Sequence, residues 1–138
     1  MNIEVRYYSK SGNTKKIADA IAKQTGGSAK SIHEPIQGEV DLLFLGTGIY
    51  AFDIDPELKE YILTLNPANI KKVVVFSTAA IVKSAYEKTK RYLQAQGLNV
   101  SDQEYHCPGH YTILRKGRPN ADDMKKAEQF AKSIINSL

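Results

Sequence analysis

The residues best placed to do chemistry lie close together near the start of the chain, in the run Ser9-Lys10-Ser11-Gly12-Asn13-Thr14. Hydroxyls on Ser9, Ser11 and Thr14 can donate hydrogen bonds to an anion, and Gly12 lets the backbone approach closely and take unusual dihedrals. Free backbone N–H groups at a helix start, with the helix dipole behind them, favour negative charge there. A phosphate monoester held this way needs no lysine, so Lys10 either adds screening charge or projects to solvent. Serine, asparagine and threonine also serve as plain helix caps. Three hydroxyls and a glycine at the switch from strand to helix exceed what a cap requires.

Other candidate chemistries are weaker. Cys107 and Arg115 are separated by seven residues near the end of the chain. The low-molecular-weight phosphatase loop has a shorter spacing and follows the first strand, so that reading is rejected. His106 and His110 flank Cys107, but two histidines and a cysteine on a loop are a poor metal signature. His33 has no neighbour in sequence to work with. A response-regulator receiver needs acidic residues after the first strand, where this chain has Tyr8-Ser9-Lys10. No GxGxxG follows a strand, which leaves a dinucleotide site unsupported.

The elements that must position the hydroxyl-rich loop alternate between β-rich runs and amphipathic segments, the pattern of parallel strands joined by helical crossovers. Ile3 to Tyr8 reads as the first strand. Asn13 to Gln24 reads as a helix with Ile17, Ala20 and Ile21 on one face, ended by Gly26-Gly27. A short second strand spans Ala29 to Ile32, and Asp41 to Leu45 is apolar on both faces, as a central parallel strand should be. Asp55-Pro56-Glu57 starts a helix with a capping carboxylate and a proline at its first position, and Leu58, Tyr61, Ile62 and Leu65 form its buried stripe. Lys72 to Phe76 is the fourth strand. Val82, Ala85, Tyr86, Thr89 and Leu93 mark a helix stopped near Gly97. Val100 to Cys107 alternates with charge and reads as an edge strand. The last helix starts after Pro119-Asn120 and turns Met124, Ala127, Phe130, Ala131, Ile134 and Ile135 inward.

One connection is too short. About seven residues, His33 to Glu39, separate the second and third strands, and they include Pro35 and Gly38. A parallel crossover ordinarily takes a dozen or more residues, usually with a helix. The second helix is therefore expected to be shortened or absent, leaving the sheet face that carries Glu4 and Arg6 thinly covered. Those two side chains should reach water or pair with each other, because burying unpaired charge costs several kcal/mol. Ile3, Val5 and Tyr7 should pack beneath the first and last helices. An open face also invites association, so a homodimer through that region is an expectation.

The 138 residues suit one domain, 1–138, without repeats, linkers or low-complexity tracts. One cysteine excludes an internal disulfide framework and fits a reducing compartment. The amino-terminal residues lack the apolar stretch of a signal peptide, and no run approaches the ~20 apolar residues of a membrane span. A cytoplasmic protein with no membrane association is expected. The net charge of +4 is spread over helical polar faces, interleaved with Glu57, Glu60, Glu87, Asp122 and Asp123, so no nucleic-acid partner is expected.

The run Tyr8-Ser9-Lys10-Ser11-Gly12-Asn13-Thr14 resembles the flavodoxin phosphate signature, hydroxyl–x–hydroxyl–Gly–x–Thr. The resemblance continues through Gly46-Thr47-Gly48-Ile49-Tyr50 after the third strand and Phe76-Ser77-Thr78-Ala79 after the fourth, and spans nearly the whole chain. It implies a flavodoxin-like three-layer α/β sandwich with a five-stranded parallel sheet of order 2-1-3-4-5 and FMN at the carboxyl ends of the strands. By the same resemblance, Ser9 to Thr14 take the FMN phosphate. The residues Thr47, Gly48, Ile49, Tyr50, Ala51 and Phe52, with Ser77, Thr78 and Ala79, flank the isoalloxazine. Tyr50 and Phe52 are the stacking candidates, and backbone N–H groups from Ser77 onward suit the pyrimidine edge. An FMN redox protein is implied, an electron carrier with a partner protein or a small donor or acceptor. A small FMN-dependent reductase and a non-redox binding module of the same fold are the alternatives.

Several features depart from the family pattern. The chain has no tryptophan, and the loop after the fourth strand offers no aromatic for the second face of the ring. Tyr50-Ala51-Phe52-Asp53 lacks the glycine that eases a peptide flip beside the flavin N5, which predicts little accumulation of a neutral one-electron-reduced flavin. Asp53, Asp55, Glu57 and Glu60 place negative charge near the ring, where it would oppose an anionic reduced flavin and lower the potential. A pI near 9.1 sets the chain apart from acidic electron carriers.

Overall fold

Two runs that are buried along their whole length, Leu42–Gly48 (β3) and Val73–Ala79 (β4), form the middle of the sheet. Each has parallel neighbours on both sides and helices over both faces, which is why it is apolar without alternation. Ile3–Tyr7 (β1) pairs with β3, Lys30–Ser31 (β2) with β1, and Tyr105–Pro108 (β5) with β4, giving the parallel order β2-β1-β3-β4-β5. Helices Asn13–Ala22 (α1), Pro56–Thr64 (α2), Tyr86–Ala95 (α3) and Ala121–Asn136 (α4) complete three layers. This computed structural model describes residues 1–48, 53–79, 84–110 and 115–138.

The sheet divides the core by strand parity. On one face Val5, Leu42, Phe44, Val74 and Phe76 pack with Ile17 and Ile21 of α1 and with Ala127, Ala131 and Ile134 of α4. Ile3 and Tyr7 lie against this side, as the alternation in β1 requires. On the other face Leu43, Leu45, Val73 and Val75 meet Leu58 and Ile62 of α2 and Leu93 of α3. Close approach between β3 and β4 depends on Gly46, where a Cβ would overlap the Phe76 ring.

Residues 32–41 form no helix, and their shortness has a specific compensation. Arg6 stands on the α2 side of β1, where the missing helix would lie, and is 2 % exposed. Its Nε donates to the Glu34 carbonyl at 3.0 Å, and its Nη2 donates to the Pro35 carbonyl at 3.1 Å. Its Nη1 lies 3.1 Å from Glu4 Oε2. The pairing of the two charges matches expectation, but the thin cover does not. The short connection folds down on the guanidinium, whose five fixed donors satisfy carbonyls that a helix would have bonded internally.

Other boundaries also shift. The edge strand is four residues long rather than spanning Val100 to Cys107. Val100 contributes one bridge to Val73, after which Ser101 turns the chain by accepting the Gln103 N–H at 3.1 Å. Conversely, β3 and β4 run three residues beyond the apolar cores Leu42–Leu45 and Val73–Phe76, to Gly48 and Ala79. Among the described residues no helix is long and apolar enough to cross a membrane.

Candidate functional site

The register brings the carboxyl ends of β1, β3, β4 and β5 to one edge, with Tyr7 opposite Gly46, Gly48 opposite Thr78, and Ala79 opposite Pro108. β1 and β3 are also where the chain reverses its direction of travel across the sheet, the position at which open α/β sheets form a crevice. Residues 8–12 leave β1 at this edge. Tyr8 N–H still bonds the Gly46 carbonyl at 2.9 Å before the chain turns into α1.

Gly12 begins α1 at φ 89, a left-handed conformation that L side chains rarely adopt. The N-cap residue supplies no side-chain acceptor, so the first N–H groups of this helix lack the cap that such a start ordinarily has. Ser9 Oγ accepts the Gly12 N–H at 3.0 Å, which fixes the turn and leaves the Ser9 hydroxyl proton available to an acceptor outside it. Lys10 and Ser11 are exposed, and Gly12 and Asn13 are half-buried. Thr14 is 1 % exposed and its Oγ1 lies 2.9 Å from Oγ1 of Thr78, itself 4 % exposed. Uncapped donors, a positive-φ glycine and surrounding hydroxyls fit a phosphate group.

The other assigned hydroxyls are placed differently. Thr47 is buried and donates to the Gly48 carbonyl at 2.8 Å. Ser77 is buried, and its Oγ accepts the Ala85 N–H at 3.2 Å ahead of α3. Both side chains serve the strand ends, so their contribution to a ligand falls to the backbone. Ala79 is nearly buried and its carbonyl accepts the Gly109 N–H at 3.1 Å. Ile49, Tyr50, Ala51 and Phe52 lie outside the described residues, as do Ala80 to Lys83, including Val82, and Tyr111 to Leu114.

Gly109 at this edge escaped the sequence reading, and His110, read there only as a poor metal candidate, takes part through its backbone. The carbonyl of His110 accepts from Asn13 Nδ2 at 2.8 Å. A Cβ on Gly109 would stand 3.0 Å from Asn13 Nδ2 and 3.1 Å from Thr78 Cβ. The loop after β5 is thereby pressed against the start of α1. A glycine directly after the fifth strand was the available signal.

Two of the acidic residues beside the ring-side loop are paired with lysines, and a third is hydrogen-bonded to a histidine. Lys10 Nζ lies 2.9 Å from Asp55, Lys59 Nζ 2.7 Å from Asp53, and His33 Nε2 2.9 Å from Glu57. The Lys59 ammonium holds the Asp53 carboxyl below the usual carboxylate range. Asp55 also caps α2 through the Glu57 N–H at 2.9 Å. Burial, with the carboxylates of Glu57 and Asp55 beside it, pushes the Tyr8 phenol up to about 12. Burial likewise pushes the Cys107 thiol up to about 12, so the single cysteine is a core residue and not a nucleophile at neutral pH. Among the described residues no group of His, Cys, Asp and Glu is arranged to hold a metal ion.

Comparison with known proteins agrees with this geometry. A family model described as a flavodoxin domain matches residues 5–115. An uncharacterised protein of Methanocaldococcus jannaschii is 33 % identical over 139 residues, covering 91 % of each chain. A solved flavodoxin from the domain Archaea superposes over 99 % of this chain and 98 % of its own, with TM-score 0.81 and 16 % identity. Oxidised flavodoxin 2 from Bacillus cereus covers 100 % of both chains with TM-score 0.75 and 18 % identity.

Proposed function

Since the chain belongs to the flavodoxin domain family, we propose that it binds FMN at the carboxyl edge of the sheet and serves as a small electron carrier. The observation that carries this reading is the start of α1, whose N–H groups lack a side-chain cap and are ringed by Ser9, Ser11 and Thr14. Backbone N–H groups and hydroxyls there would hold the phosphate, and Gly12 would keep a Cβ from crowding it. Bound FMN would supply one- and two-electron redox chemistry. Residues 49–52 and the backbone at Thr78 and Ala79 would flank the ring, and Ala51, with no glycine in that loop, would resist a peptide flip toward it.

What the remaining residues do is orient and exclude. The Lys10–Asp55 pair ties the phosphate turn to the start of α2, and the Lys59–Asp53 pair offsets negative charge just ahead of that helix. An electron carrier, rather than a catalyst with a covalent step, suits a chain whose one thiol is buried. Its partner would be a redox protein or a small donor or acceptor, met by a surface of net positive charge.

Titration of flavin-free protein with FMN and with riboflavin tests the reading. FMN should bind about a hundredfold more tightly, since charge-assisted hydrogen bonds to phosphate are absent for riboflavin. Equal affinity for the two would remove the start of α1 as the anchor.

A further inference from the structure

The contact between Thr14 and Thr78 joins residues 64 apart in sequence, with both hydroxyls buried. Each hydroxyl carries one proton and can both donate and accept. Within the pair, one proton lies between the two oxygens, and two arrangements satisfy the 2.9 Å distance. If Thr14 donates, its proton is spent on Thr78. If Thr78 donates, the Thr14 proton is left to point elsewhere.

We propose that Thr78 is a positioning residue for phosphate recognition, donating to Thr14 Oγ1 so that the Thr14 hydroxyl proton is directed at the bound phosphate. The inference rests on the FMN reading above, in which Thr14 faces the phosphate. A phosphate dianion accepts hydrogen bonds and donates none, so it selects the arrangement in which Thr14 donates outward. A chain of two hydroxyls in a low-dielectric setting also strengthens each bond along its length.

The packing around the pair holds its geometry. Gly109 lies so close that a Cβ would meet Thr78 Cβ at 3.1 Å and Asn13 Nδ2 at 3.0 Å. Asn13 is in turn bound to the His110 carbonyl at 2.8 Å, and Gly109 N–H to the Ala79 carbonyl at 3.1 Å. Three segments therefore meet at one joint, and β4, a strand assigned to the ring side of the ligand, sets a proton on the phosphate side. A contact that merely tied α1 to β4 would act on both flavins alike.

Flavin fluorescence titrations of flavin-free wild type, Thr78→Val, Thr78→Ala and Thr78→Ser with FMN and riboflavin separate the two roles. The Val and Ala variants should lose FMN affinity by about tenfold and riboflavin affinity by much less, so that the preference for FMN falls, with far-UV circular dichroism unchanged. Thr78→Ser should return FMN affinity to within about twofold of wild type, since it restores the hydroxyl. Wild-type preference for FMN retained in full by the Val and Ala variants would overturn the role of Thr78 alone. Parallel loss of both flavins would also overturn it, by reducing the contact to packing. A wild type with no preference for FMN would instead sink the phosphate reading, and this inference with it.

Discussion

At the start of α4, Asn120 Oδ1 accepts the Asp123 N–H at 3.0 Å, and Asp123 Oδ2 accepts the Asn120 N–H at 2.8 Å. Arg118 then grips both oxygens of Asp123 through Nε and Nη2, each at 2.6 Å. At the start of α1 the Gly12 N–H is taken by Ser9 Oγ at 3.0 Å, but no N-cap side chain meets the N–H groups that follow, and the residue in the capping position is a glycine at positive φ. Both helices pack on the same face of the sheet and both follow a strand's carboxyl end. One start is closed on itself by a reciprocal cap and an ion pair, and its donors stabilise the fold. The other is left open among hydroxyls. The contrast teaches that an unspent helix start carries meaning when the same chain shows it can cap a helix thoroughly elsewhere.

The comparison breaks most sharply if charge is added to the open start. Ser11→Asp places a carboxylate among the α1 donors, where it takes the place of the phosphate and repels it. FMN affinity should fall about a hundredfold, because like charges at close quarters cost several kcal/mol. Riboflavin binding should change far less. Loss of both to the same degree would mean that the substitution acts on the ring or the fold.

The closed start should fail in the opposite way. Asp123→Ala removes the reciprocal cap and leaves Arg118 unpaired, costing about 2 kcal/mol of stability in urea unfolding and leaving FMN affinity unchanged. Arg118 holds the Asp123 carboxyl below the usual range despite its burial. A carboxyl depressed in the folded state contributes stability above its unfolded value, near ~3.9, and loses it as pH falls through the folded value. The gap between wild type and the Ala variant should therefore be full at neutral pH and shrink only below about pH 4. A gap that stays constant down to pH 2 to 3 would deny the ion pair its part.

Gly12→Ala gives the smallest effect and the finest distinction. Nothing lies within 4 Å of the added Cβ, so the cost comes from the φ of +89 alone, about 1 kcal/mol. Thermal unfolding should register this small loss. A much larger fall in Tm would show that Gly12 is packed and not merely left-handed.

Much of this layout was legible in the sequence because it follows from local rules. The Asp55-Pro56 and Pro119-Asn120 helix starts, the apolar central strands and the crossover too short for a helix each lie within a few residues of chain. The ends of β3 and β4 were not legible. Thr47, Ser77 and Thr78 read as loop residues, yet they continue the strands, the Thr47 hydroxyl bonding the carbonyl of the next residue, and those of Ser77 and Thr78 meeting the Ala85 N–H and Thr14 from other segments. The same holds for the candidate site. Its phosphate turn is contiguous and declares itself, whereas the approach of Gly109 and His110 to Asn13 depends on sheet order that no short motif encodes. The partners of Asp55 and Glu57 were hidden for a related reason, since Lys10 and His33 reach them from other segments.

Arg6 ties the fold to its short form. Its guanidinium occupies the space over β1 and spends its donors on the carbonyls of Glu34 and Pro35, so a helix inserted between Ile32 and Val40 would have to displace it. A displaced arginine at that point in the sheet would be a buried charge facing an apolar helix. Lengthening the connection and changing residue 6 to an apolar side chain are thus coupled steps. Either one alone passes through a less stable protein, and across related chains the two traits should be gained and lost together.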